Sequence, residues 1–140
     1  MAFVFRQKVL FKHCDPNGIV FYPRYFEMTN DAVEAWFADR LGAPFEELHG
    51  PQGLGVPTAA IDIAFKAPSF HGDLLDFTLT PRRLGRASLR LSTVADCAGE
   101  RRLTMTSTLV MAAAKGGGAR PWPDEIRARI EAELEPEEAP

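Results

Sequence analysis

At 140 residues, with 46% apolar and 25% charged side chains, the chain has the size and balance of one soluble domain, which excludes intrinsic disorder. A formal net charge of -3 excludes a general polyanion binder, because non-specific nucleic-acid affinity comes from many Lys and Arg contacts to phosphate. No nucleic-acid partner is expected, and any basic site must be local.

The N-terminal segment mixes charge with apolar residues and lacks the uninterrupted apolar stretch of a signal peptide. No run approaches the roughly 18 to 20 apolar residues of a membrane span, so a cytoplasmic protein without a membrane partner is expected. Phe3, Phe5, Val9 and Phe11 fall on odd positions and Arg6, Lys8 and Lys12 on even ones, the period of a half-buried strand. Asp15-Pro16-Asn17-Gly18 then reads as a turn, since Pro fixes φ, Asn and Gly tolerate positive φ, and Asp can bond the backbone two residues on.

From Pro23 to about Leu41 the period changes. Tyr25, Met28, Ala32, Val33, Trp36 and Phe37 recur at helical spacing, while Glu27, Asn30, Asp31 and Glu34 form a narrower polar stripe. Pro23 suits the first helical turn and Gly42 the stop. So wide an apolar arc needs cover around most of the helix, which one antiparallel sheet curling about it would provide. Residues 49–56 hold three glycines and a proline and read as a loop.

Strand alternation returns in Ala59, Ile61, Ile63 and Phe65, in Leu75, Phe77 and Leu79, in Ala87, Leu89 and Leu91, and in Leu103, Met105, Leu109 and Met111. Glycines at 85 and 99 sit where tight antiparallel connections are needed. Gly116-Gly117-Gly118 reads as a flexible linker, followed by a short amphipathic helix over about 123–134 and an acidic tail, 135–140, expected to fray. The expected architecture is α+β: a single domain with a core over about 3–112, a five-stranded antiparallel sheet wrapped around a long central helix, and a short C-terminal helix. Cys14 and Cys97 lack CxxC spacing and are expected to be free thiols.

The chemistry concentrates at the Asp15 turn, which delivers a carboxylate just ahead of a largely buried helix. The first backbone N–H groups of that helix have no intrahelical partner. Helped by the helix dipole, they can hold a developing oxyanion while the carboxylate attacks or activates water. The run Asp15-Pro16-Asn17-Gly18-Ile19-Val20-Phe21-Tyr22-Pro23-Arg24-Tyr25 resembles the motif of the 4-hydroxybenzoyl-CoA thioesterase family, and the order of strand, motif, long helix and four strands is similar over residues 3 to about 112. The resemblance implies a hotdog fold assembled as a homodimer or homotetramer, with active sites at the subunit interface and acyl-CoA as substrate. It implies Asp15 as nucleophile or general base, the backbone N–H of Tyr22 polarising the thioester carbonyl, and substrate contacts from Gly18, Ile19, Val20, Tyr25 and Asn30. Thioester hydrolysis needs a placed base or nucleophile and an oxyanion site, so neither a metal nor a cofactor is expected.

Asn30 stands where the resembled enzyme has an Asp that accepts a hydrogen bond from a ring hydroxyl, and Asp31 points about 100° away around the helix and cannot replace it. Arg82, Arg83, Arg86 and Arg90 form a local basic cluster. Arg82, Arg83 and Arg86 align loosely with the family's nucleotide-binding segment for CoA, and Ser88 is a candidate for an added hydroxyl contact; Arg suits bidentate phosphate contacts, and a solvated hairpin is the competing reading. His13, His49 and His71 show no metal-ligand spacing and read as loop or surface residues. Two other readings stay open: a noncatalytic acyl-CoA-binding module and an acyl-thioester hydratase or dehydratase, the latter disfavoured because no His lies inside the helix.

Overall fold

The computed structural model describes residues 2–137. In chain order its elements are β1 (Phe3–Lys8), a 3-10 turn (Phe11–His13), α1 (Pro23–Asp39), α2 (Phe45–His49), β2 (Leu54–Gly55), β3 (Thr58–Phe65), β4 (Leu74–Leu84), β5 (Ser88–Cys97), β6 (Glu100–Val110), β7 (Ala112–Ala113) and α3 (Asp124–Glu133). Five strands pair antiparallel in the order β1-β4-β5-β6-β3. This is the α+β arrangement expected of a hotdog fold. Met28, Trp36 and Phe37 of α1 are buried in one cluster with Phe77, Leu79, Leu89, Leu91 and Leu103 of the sheet. Losing one of the large aromatic side chains there would cost about 3–5 kcal/mol, because the cavity collapses only partly.

Local chemistry explains the connections. Ala98 and Gly99 both have positive φ, +49° and +83°, as a two-residue hairpin turn between β5 and β6 requires. Pro81 sits inside β4, but β1 covers that strand only as far as Leu79, and the β4–β5 register shifts between Pro81 and Arg83. A proline without an N–H is tolerated at such a bulge on an uncovered stretch.

Several expectations need correction. Phe11 is 80% exposed, because the chain leaves β1 at Lys8 and turns, so the odd-numbered parity ends before it. Within residues 49–56, expected as a loop, Leu54–Gly55 form the short β2, which pairs with β7; α2 lies just before, at Phe45–His49, a stretch with no predicted element. The three glycines form a closed turn rather than an open linker, with Ala113 N–H donating to Gly118 O at 3.0 Å and Gly117 N–H to Ala114 O at 3.4 Å. β3 lies at the sheet edge, leaving Ile61 45% and Phe65 49% exposed.

The C-terminal segment is anchored by Trp122, whose N–H donates to Arg86 O and whose indole donates to Ser88 O at 3.1 Å. Within the expected frayed tail, Glu135 N–H bonds Pro81 O at 2.9 Å; residues 138–140 lie outside the described part. Both cysteines are free, and among the described residues no helix is long and apolar enough to cross a membrane.

Candidate functional site

The stretch between β1 and α1 is tightly determined. His13 is buried, and its Nδ1 accepts the Leu10 N–H at 2.8 Å, closing the 3-10 turn. Burial, reinforced by the charge of Lys12, holds its imidazole below the ordinary histidine range. Asp15 and Ile19 then close a narrow loop: Asp15 N–H donates to Ile19 O and Gly18 N–H to Asp15 O, both at 2.9 Å. Gly18 takes φ +79°, a left-handed conformation that its missing side chain permits. One oxygen of Asp15, Oδ1, accepts the Asn17 N–H at 2.8 Å and the Ile19 N–H at 3.4 Å, the Asx-turn role open to any Asp in such a turn. Among the described residues Oδ2 accepts no hydrogen bond.

This loop is stitched to the segment before β4. Val20 N–H donates to Ser69 O at 2.9 Å, His71 N–H to Gly18 O at 3.3 Å, and Ile19 bridges Phe70. Asp15 borders a cleft of about 350 Å³ with Phe11, Cys14, Gly18 and His71, in which the Phe11 and His71 rings stand 6.0 Å apart. Tyr22 borders a different cleft of about 330 Å³ with Val20, Tyr25, Phe65 and Lys66. Its rings interlock, with Phe65 lying 6.3 Å from Tyr22 and 5.7 Å from Tyr25. Burial raises the Tyr25 phenol above its ordinary range. At the head of α1, Phe21 N–H is taken by His13 O and Pro23 has no N–H, whereas Tyr22 N–H donates to nothing among the described residues.

Asn30 borders a third, smaller cleft of about 150 Å³ between α1, β3 and β6, beside Thr29, Thr58 and Ser107. The arginines lie elsewhere. Arg82 donates through Nε to Ser92 Oγ at 3.1 Å and through Nη1 to Glu135 O at 3.0 Å, while Arg90 pairs with Glu137 at 3.7 Å. Arg83 and Arg86 are exposed at the tip of the β4–β5 hairpin. Among the described residues no group of His, Cys, Asp and Glu is placed to hold a metal ion.

A sequence model of the thioesterase-like superfamily matches residues 9–130. The chain belongs to that superfamily. A 1,4-dihydroxy-2-naphthoyl-CoA hydrolase from Thermosynechococcus vestitus is 28% identical over 63% of this chain, which spans about 60% of that relative's own length. A thioesterase-superfamily structure from Jannaschia sp. CCS1 superposes with a TM-score of 0.88 at 26% identity, covering 96% of this chain and 94% of that one. A gentisyl-coenzyme A thioesterase structure gives a TM-score of 0.82 at 27% identity, covering 91% of this chain and 98% of its own.

Within this thioesterase-like chain the expected site residues do not converge on one cavity. Gly18 stays with Asp15, Val20 and Tyr25 go with Tyr22, Ile19 is engaged with Phe70, and Asn30 is apart. Arg82, Arg83, Arg86 and Ser88 sit at the far end of β4 from the Asp15 loop, roughly 30 Å along the strand at about 3.3 Å per residue. His71 and Lys66 border the two clefts and carry no motif signal, because chain reversal before β4 brings them there rather than local spacing, whereas Phe11 reaches the Asp15 cleft locally from the 3-10 turn.

Proposed function

We propose that this chain is an acyl-CoA thioesterase that releases a free carboxylic acid and CoA. The observation that carries the reading is an unpaired amide, Tyr22 N–H, at the head of the buried α1, seven residues after a carboxylate with one oxygen free, in a chain of the thioesterase-like superfamily. Asp15, or a water that it deprotonates, adds to the thioester carbonyl carbon, and the oxyanion so formed takes the Tyr22 N–H. Collapse then breaks the C–S bond and expels the CoA thiolate. Where water attacked, the acid forms directly and the proton held by Asp15 passes to the thiolate; where Asp15 attacked, a water then hydrolyses the Asp15–acyl anhydride to release the acid and restore the carboxylate. No step calls for a metal or a redox cofactor.

The relatives named above as hydrolase or thioesterase act on aromatic acyl groups, and the Tyr22 cleft here is walled by Tyr22, Tyr25 and Phe65. Offset and edge-on ring contacts of this kind favour a planar aryl guest. We therefore place an aryl-CoA first among substrates.

The active unit in this reading is a homodimer or a dimer of dimers. β3 leaves one edge unpaired with apolar Ile61 and Phe65 beside it, and edge strands of this kind invite a second strand. A twofold axis joining two β3 edges antiparallel reverses the second sheet, so the partner's hairpin tip arrives at the end of the molecule where Asp15 lies. That arrangement answers the separation of the arginines from Asp15 within one chain.

One observation favours a second reading, a noncatalytic ligand-binding module: Asp15 and Tyr22 open to different clefts in the single chain, with Oδ1 of Asp15 held in its turn. A panel of aryl, short, medium and long acyl-CoAs, with release of free CoA thiol as readout, separates the two. Hydrolysis with aryl substrates preferred about tenfold or more in kcat/KM supports the proposal. Saturable binding without CoA release on any substrate would leave only the binding module.

A further inference from the structure

The wall shared by the two clefts is the segment from Lys66 to Gly72, and its fastening centres on one side chain. Arg102, on β6, is 8% exposed. Its carbonyl accepts the Lys66 and Ala67 N–H groups at 2.8 and 3.3 Å, and its Nη1 donates to Pro68 O at 3.0 Å and to Asp73 Oδ2 at 2.8 Å. The same Asp73 oxygen accepts the Phe70 N–H at 2.9 Å. Asp73 O in turn receives the Val9 N–H at 2.8 Å, where the chain leaves β1 toward the Asp15 loop.

The fastened segment bears on both halves of the site. Lys66 and Pro68 border the Tyr22 cleft, and His71 borders the Asp15 cleft. Ser69 O accepts the Val20 N–H, and His71 N–H donates to Gly18 O, so the loop that carries Asp15 is hydrogen-bonded directly to this wall. We propose that Arg102 and Asp73 are positioning residues: their ion pair fixes the Lys66–Gly72 segment, and that segment sets the Asp15 carboxylate relative to the Tyr22 amide.

The chemistry suits a positioning part. A guanidinium offers several donors in a fixed plane, so Arg102 ties a carbonyl and a carboxylate together where a lysine would supply a single movable point charge. The Phe70 N–H first, and Arg102 next, hold the Asp73 carboxyl below its ordinary range, so the pair stays charged at neutral pH. The inference rests on the thioesterase reading for its consequence in turnover, while the anchoring itself is measurable without it.

The test compares Asp73→Asn and Arg102→Lys with Asp76→Asn, which removes the exposed Arg6–Asp76 pair between β1 and β4. For each full-length variant, kcat and KM are measured on the best acyl-CoA, and amide hydrogen exchange is followed at Val20 and His71 and at the core positions Leu79 and Leu91. Misplacing reacting groups lowers kcat more than it weakens binding, so kcat should fall about tenfold or more, with KM changed by less than about threefold. Exchange at Val20 and His71 should quicken about tenfold while Leu79 and Leu91 hold, and Asp76→Asn should change neither readout. Unchanged exchange at Val20 and His71, or a rise shared equally by Leu79 and Leu91, overturns the proposal. So does full turnover with loosened amides. Should Asp73→Asn fail to fold, Arg102→Lys retains the charge and decides alone. A wild-type chain that hydrolyses no CoA thioester, with Asp73→Asn and Arg102→Lys still showing the local exchange change, would leave the anchoring standing and remove the thioesterase reading.

Discussion

The imidazole of His13 accepts a backbone N–H through Nδ1, so protonating that nitrogen breaks the bond that closes the turn before Asp15. Its native pKa is lowered, by burial first, so between about 6.5 and the lower native value the unfolded chain binds more protons than the folded one. Stability therefore rises with pH through that window and falls as the solution is acidified into it. Melting temperatures recorded from about pH 8 down to about pH 5 should decline more for the wild type than for His13→Gln, which cannot gain the charge. Equal declines would remove His13 from the account. Asp15 allows a cleaner division of roles. Asp15→Asn keeps an Oδ1 acceptor for Asn17 and should lower kcat by about 10² or more at little cost in stability, whereas Asp15→Ala should also lose about 1 kcal/mol from the broken turn. Tyr22 has φ -52°, a value proline accepts, so Tyr22→Pro deletes the proposed oxyanion donor with limited strain. Turnover should drop about 10² below that of Tyr22→Ala, which loses the ring and keeps the N–H.

At the level of elements, α1 and the central strands were readable because each buries one continuous face, and burial imposes a period on the sequence. Where cover comes from one side only, the period misleads. The odd-numbered apolar residues of β3 looked half-buried, yet only Ile63 is, and the strand's position at the sheet edge leaves Ala59, Ile61 and Phe65 open; edge position is a property of topology rather than of alternation. β2 and β7 pair over two residues each, too few to show any period, and α2 is a helix of five residues. Of the site, the Asp15 turn and the start of α1 were legible because both are local; Lys66, His71, Asp73 and Arg102 meet the loop through long-range pairing and left no local mark. The arginines divide along the same line. Arg82 is already tied to Ser92 and to Glu135 O, so Arg82→Ala should mainly loosen the tail. Arg83→Ala and Arg86→Ala remove exposed charge, and if these side chains grip phosphate each should raise KM for acyl-CoA about five- to thirty-fold. Acyl-pantetheine substrates, which lack the nucleotide, should be nearly indifferent; equal losses on both substrates, or none on either, would mean that the cluster only solubilises the hairpin.

For the whole molecule, assembly is what the single chain leaves unfinished. Asp15 and the arginine cluster stand at opposite ends of β4, the Asn30 cleft opens beside the unpaired edge of β3, and Ile61 borders that cleft while remaining 45% exposed. A second copy joined through β3 would pair the free backbone groups of that edge, cover Ile61, and bring the partner's hairpin tip toward the Asp15 end. Ile61→Lys sets a charge against its own image across such a seam, because an antiparallel twofold contact places like residues near one another. The wild type should sediment as a dimer or tetramer at micromolar concentration, and Ile61→Lys should shift it toward monomer with its melting temperature largely kept, since Ile61 is not part of the buried core. Activity should fall with dissociation and recover as enzyme concentration is raised, a dependence that simple damage to a monomeric site would not produce. Sedimentation and specific activity measured on the same dilution series decide the matter: a monomeric Ile61→Lys chain with undiminished turnover at every concentration would show that one chain holds the whole site, and the antiparallel β3 seam would have to be given up.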